Sequence, residues 1–102
     1  MTDVRIRTYE RKDLPLEQRL PSLARRFPSL RGARGIDPWN ADALRQWMNG
    51  CSDEGALQTA RLLLAIAGVA TPAEAFDLMK AMKAWSTADR QMFVNFLRVW
   101  DF

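Results

Sequence analysis

Histidine is absent from this chain of 102 residues. Its absence removes the commonest general base, the commonest metal ligand, and the Ser-His and Cys-His arrangements for nucleophilic catalysis. Cysteine is almost absent as well. Cys51 stands alone, so no disulfide closes within the chain and no thiolate zinc site can form, and a reducing compartment, the cytoplasm, is the simpler setting. Long apolar runs are missing. The longest, LLLAIAGVA at residues 62–70, is about half of the roughly twenty residues a membrane helix needs, and the N-terminus MTDVRIRTYERKD is charged throughout where a secretory leader needs an apolar stretch. No membrane partner is expected. Lysine is scarce, three residues against twelve arginines, a bias that suits phosphate or carboxylate forks and follows equally from GC-rich codons. The glycines of RGARG, residues 31–35, match neither a phosphate-cradling loop nor a dinucleotide fingerprint. Asp53 and Glu54 are adjacent, but neighbours at a helix start point in different directions, and their position is what capping alone predicts. The chain is therefore expected to be no enzyme, with no catalytic residues, no metal and no cofactor.

What is present describes one globular domain. Apolar residues at 48% and charged residues at 26% match ordinary folded proteins and lie far from disordered ones. A chain of this size buries about two-thirds of the surface that its unfolded form exposes, enough for a core without staples. The Met1 start and the arginine preference lead us to expect a complete natural chain of bacterial or phage type. Charge is distributed unevenly: residues 1–35 hold nine basic and four acidic side chains, a net of +5, and residues 36–102 hold six and eight, a net of −2.

Residues 4–9, VRIRTY, alternate apolar and polar, which predicts an extended basic arm over residues 1–12 ahead of a helical domain over 13–102. From Asp13 the period becomes helical: Leu16, Leu20, Leu23 and Phe27 recur at spacings of four, three and four, with Arg19, Arg25 and Arg26 off that stripe and facing outward. Pro21 predicts a kink or two short helices. After the loop PSLRGARGID, a helix opens at Asp37-Pro38 or at Asn40 and presents Ala41, Ala43, Leu44, Trp47 and Met48, with Asn49 and Gly50 closing it. Ser52 is expected to cap a helix running to about residue 67. On that helix Glu54, Gln58 and Arg61 form one thin polar strip and apolar residues cover the rest, the pattern of a helix in the middle of a bundle. In TPAE, Thr71 caps, Pro72 takes the first helical position and Glu74 reaches back, which predicts a helix from there to Trp85. Ser86 or Thr87 caps the last helix, about residues 88–100. ALRQW (43–47) and AMKAW (81–85) echo one another at a helical-repeat spacing, and two copies are too few for a repeat array. The prediction is an all-α compact bundle of about five short helices.

The end of the chain, WSTADRQMFVNFLRVWDF, holds five of the ten aromatic residues. On a helical wheel Val99, Met92, Phe96, Trp100, Phe93 and Leu97 span an arc of about 160°, wide enough to touch two neighbouring helices. Phe93, Phe96 and Leu97 are assigned to the core on that basis.

Two functions remain. The first is a protein-binding module, an adaptor, inhibitor or regulatory subunit that occupies a surface on a protein partner, with Leu16, Leu20, Trp39, Trp100 and Phe102 as candidate contacts. The same Leu stripe could as well face its own core. The alternative is nucleic-acid binding, with Arg19, Arg25, Arg26, Arg31 and Arg34 as candidate phosphate contacts, joined by Arg5 and Arg7 of the arm. No helix gathers polar side chains into a base-reading face. A homodimer is compatible with either function.

Overall fold

The chain is all-α. The computed structural model describes residue 11 and residues 13–100, and these form five α-helices, α1 (Leu16–Ala24), α2 (Ala41–Asn49), α3 (Glu54–Ile66), α4 (Leu78–Ala84) and α5 (Thr87–Val99), with 3-10 turns at Pro28–Leu30 and Pro72–Glu74. No strand occurs among the described residues. The arm expected over residues 1–12 lies, Arg11 excepted, outside them, and so do Arg5, Arg7 and Phe102.

The Leu stripe faces inward. Leu20, Leu23 and Phe27 are each 1% exposed, and Leu16 packs against the same cluster. The helix carrying them is shorter than the stripe: α1 ends at Ala24, and the chain tightens through Arg26 N–H to Leu23 carbonyl and Phe27 N–H to Ala24 carbonyl bonds, which still deliver Phe27 inside. Pro21 does not divide this helix. It sits in the sixth position, where its missing N–H removes one bond to the first turn, and its own carbonyl accepts from Arg25 N–H at 3.1 Å. The expected outward position of Arg19 is also corrected. Arg19 is 8% exposed because its guanidinium lies 4.1 Å from the centroid of the Trp100 ring.

α3 is the central element, packed by α4, by α2 and by the 28–30 turn. Its N-cap is Asp53, one residue later than the expected Ser52: the Asp53 carboxylate accepts from Gly55 and Ala56 N–H, a geometry that a cap allows and the first helical turn does not. The thin polar strip is covered at its middle, with Glu54 exposed and Arg61 half-buried. Gln58 is fully buried because its amide donates to Glu54 and its carbonyl oxygen accepts the Asp77 N–H at the start of α4. α3 ends in a Schellman motif: Val69 N–H bonds the Leu64 carbonyl, Gly68 N–H bonds the Ala65 carbonyl, and Gly68 supplies the φ of +76° that this closure requires.

The TPAE segment is a second correction. Glu74 does accept the Thr71 N–H at 2.9 Å, but the turn it closes is a single 3-10 turn, because Ala75 is extended and the helix starts afresh at Leu78 with Asp77 as cap. Asn40 is the cap of α2 and Ser86 of α5.

A polar cluster inside the apolar core ties these elements together. Thr59 Oγ1 donates to the Gly55 carbonyl and accepts Trp85 Nε1–H at 2.8 Å. The hydroxyl has one proton, already given to Gly55, so Ser29 Oγ, 2.8 Å away, is its donor. Asp89, 4% exposed, accepts the Ser29 N–H and the Ser86 hydroxyl. The turn at Pro28–Leu30 is thereby fixed to both α3 and α5.

Candidate functional site

Six aromatic rings run through the core and out to the surface. Phe27 meets Trp85; Trp85 meets Phe76 and Phe93; Phe93 meets Phe96, and Phe96 meets Trp100, with centroid separations between 5.3 and 6.1 Å. Trp85 and Phe96 are core residues in full, and Trp100 is half-buried between Phe96 and the Arg19 guanidinium. The aromatic mass at the chain's end is therefore principally interior, as the wide arc on α5 predicts.

The arc is not interior to its edge. Phe93 and Phe96 occupy its centre, but Leu97, expected in the core, is 51% exposed, and Val94 is 43% exposed. The core behind α5 is filled by Phe93, Phe96 and the buried Asp89; Met92 and Val99 on one side of that line pack against the core, while Leu97 and Val94, together on the other side, stay exposed. An open groove of about 520 Å³ results. Leu62, Ala65 and Ile66 of α3 form one wall, Phe93 and Leu97 of α5 with Trp100 just after it the other, and Phe76 adds to the lining. The binding-site list read from sequence contains Trp100 alone among these; the signal for the rest was the width of the α5 arc.

Exposed basic residues flank Val94 and Leu97 on α5, and Asp77, beside Phe76, is an exposed carboxylate. Arg90, Val94 and Leu97 stand at spacings of four and three on one helix face, and Arg98 follows directly. Arg90 Nε donates to the Met82 carbonyl and Arg90 and Arg98 are both exposed. Lys80 and Lys83 of α4 are exposed too, while Asp89, one of the two carboxylates described between residues 75 and 100, is buried in the Ser29–Ser86 cluster.

The other residues named from the sequence lie elsewhere. Leu20 is core, Leu16 is half-buried against it, and Trp39 is half-buried beside a groove that runs along α1 from Glu17 to Arg25. The arginines do not act as one cluster. Arg25 is ion-paired with Asp37, Arg19 is beneath Trp100, and Arg26, Arg31 and Arg34 are exposed. Arg25, Arg26 and Arg31 line a second open groove of about 480 Å³, floored by Phe27, Leu30 and Ile36 and carrying Asp37.

No group of three or more His, Cys, Asp or Glu positioned for a metal occurs among the described residues. Cys51 is half-buried, its thiol directed at the Asp53 carbonyl 3.8 Å away. Among the described residues no helix is long and apolar enough to cross a membrane. No family of known proteins, no curated protein and no solved structure matches this chain.

Proposed function

We propose that the chain is a non-catalytic protein-binding module of the cytoplasm, a small adaptor, inhibitor or regulatory subunit, and that it takes an amphipathic helix of a partner protein into the groove between α3 and α5. The observation that carries this reading is the 51% exposure of Leu97 on the lip of an aromatic-walled groove, with the exposed Val94 one turn before it on α5. Apolar surface left in water forgoes about 25 cal/mol for each Å² that a partner could cover. Two helices form the walls, which suits a third helix reading in with anchors at i, i+3, i+4 and i+7. No unpaired strand edge exists among the described residues to recruit a β-strand instead. Arg90 and Arg98 beside the lip favour an acidic edge on the incoming helix.

The test is capture from a lysate of the source cells on the immobilised chain, with Leu97→Asp compared against Met79→Asp on the exposed side of α4. A protein retained by the parent chain and by Met79→Asp, and lost with Leu97→Asp, supports the groove. Retention by Leu97→Asp refutes it.

Nucleic-acid binding is supported by Arg31 and Arg34, both exposed beside the exposed Gly32. Should it operate, log affinity falls steeply with log salt and each arginine removed lowers the slope by about one.

A further inference from the structure

The loop of residues 31–35 separates two open grooves, and Gly32 belongs to the lining of both. One is the groove of Arg25, Arg26 and Arg31; the other, of about 570 Å³, lies between the loop and α2 and is lined by Arg34, Gln46 and Trp47 together with Gly32 and Gly50. Gly35 holds the loop to α2. Its carbonyl accepts the Asn40 N–H at 2.8 Å, and a Cβ at this position would collide with the Asn40 carbonyl and the Leu44 backbone nitrogen, so the backbone that carries Arg34 is fixed beside the helix that carries Trp47. The polar groups along this path are unspent. Arg31 and Arg34 are exposed, and among the described residues neither side chain has an ion-pair or hydrogen-bond partner. Trp47 stands apart from the six rings that run through the core: it is half-buried against the core cluster and forms no ring contact among the described residues. Its indole N–H has no acceptor there and is open to water, where the N–H of the buried Trp85 is given to Thr59. Four arginines and one carboxylate line the two grooves, a net of +3, and that carboxylate, Asp37, is ion-paired with Arg25.

We infer that the two grooves form one path for a single-stranded nucleic acid, which crosses at Gly32, sets its phosphates on Arg31 and Arg34 and stacks a base on Trp47. Arginines track a backbone without reading sequence, and an aromatic side chain beside them takes an unpaired base of any identity. A duplex keeps its bases stacked on one another, so Trp47 serves a single strand and not a double one. Gln46, exposed and next to Trp47, has an amide that both donates and accepts, as the free edge of an unpaired base requires. Gly32 lets the strand come close. Its φ of +85° favours glycine, and nothing lies within 4 Å of where a Cβ would stand. One arginine in each groove suits successive phosphates, whereas a mononucleotide would engage only one of them. The path rests on nucleic-acid binding through Arg31 and Arg34, and it shares no lining residue with the groove between α3 and α5.

The experiment is fluorescence anisotropy on the full chain with labelled oligo(dT) and oligo(U) of roughly twelve nucleotides, a duplex of the same length and a mononucleotide as competitor, over a salt series starting at about 20 mM. Single strands are expected to bind about tenfold or more tighter than the duplex, with log affinity falling as log salt rises. Trp47→Leu should weaken single-strand binding about five- to a hundredfold and leave duplex affinity and the salt slope unchanged, with Trp47→Phe retaining most of it. Arg31→Gln and Arg34→Gln should each lower the single-strand slope by about 0.7. Because Trp47 also packs on the core, the parent chain supplies an independent readout: its Trp47 indole N–H resonance should shift saturably with oligo(dT). Binding of both strands assigns the path to single strands in general, and binding of one alone assigns it to DNA or to RNA. Salt-dependent binding with the duplex as tight as the single strands, and the Trp47 resonance unmoved, overturns the inference and leaves phosphate contact by the arginines standing. A mononucleotide that competes at equal affinity overturns the strand. No binding at about 20 mM salt overturns the path and nucleic-acid binding together.

Discussion

Thr59 serves three partners with a single hydroxyl, bonding the Gly55 carbonyl, the Trp85 indole and Ser29. Thr59→Val keeps the shape and removes the oxygen, leaving the half-buried Ser29 hydroxyl without its acceptor and the buried Trp85 indole with one bond, to the Gly55 carbonyl. A loss of about 1–3 kcal/mol in urea unfolding is expected. Glu74 adds a pH dependence of definite sign. The Arg45 guanidinium and the Thr71 N–H hold its carboxyl well below the ordinary 4.5, at about 2. A depressed folded value contributes stability that is fully present above the unfolded value and is lost as pH falls from 4.5 toward about 2. Urea midpoints of the parent chain and Glu74→Gln should therefore differ at neutral pH and converge as the solution is acidified through that window. At this scale the sequence was partly legible. It identified the reach of Glu74 back to Thr71, but the partner that lowers its pKa, Arg45, is twenty-nine residues away and nothing local announces it.

Four helices begin at side-chain caps, Asn40, Asp53, Asp77 and Ser86, each accepting a backbone N–H of the first turn. Their replacement by Ala should cost about 1 kcal/mol each in chemical unfolding. Ser86→Ala should exceed Asn40→Ala, because the Ser86 hydroxyl also donates to the buried Asp89. Element boundaries were legible where one of the two caps offered is the one used, Asn40 and not Asp37 at α2, Ser86 and not Thr87 at α5. They shifted from Ser52 to Asp53 at α3, since the choice depends on which carboxylate or hydroxyl the turn aims at the free N–H groups. In TPAE, a correct capping pattern closed a turn and not a helix, because Asp77 offers a second cap six residues on and Ala75 is drawn into an extended conformation between them.

At the scale of the whole molecule, two neighbours on α5 separate folding from binding. Phe96 is buried between Phe93 and Trp100, and Phe96→Ala should cost about 3–5 kcal/mol. Leu97→Lys, on the lip of the groove, should change stability by no more than about 0.5 kcal/mol. Periodicity alone gives the bundle, the central α3 and an apolar face on α5. It does not say how much of that face finds a neighbour, because this depends on where Asp89 and the 28–30 turn come to rest. The same limit applies to the arginines, whose density in sequence gave no sign that Arg19 would lie beneath Trp100 and Arg25 against Asp37. The groove account is tested most directly by methyl NMR of the chain titrated with its captured partner. The account predicts shifts at the Val94, Leu97, Leu62 and Ile66 methyls, with Leu20 and Leu44 unmoved. Changes confined to the loop that carries Arg31 and Arg34, with the α5 methyls still, would contradict it.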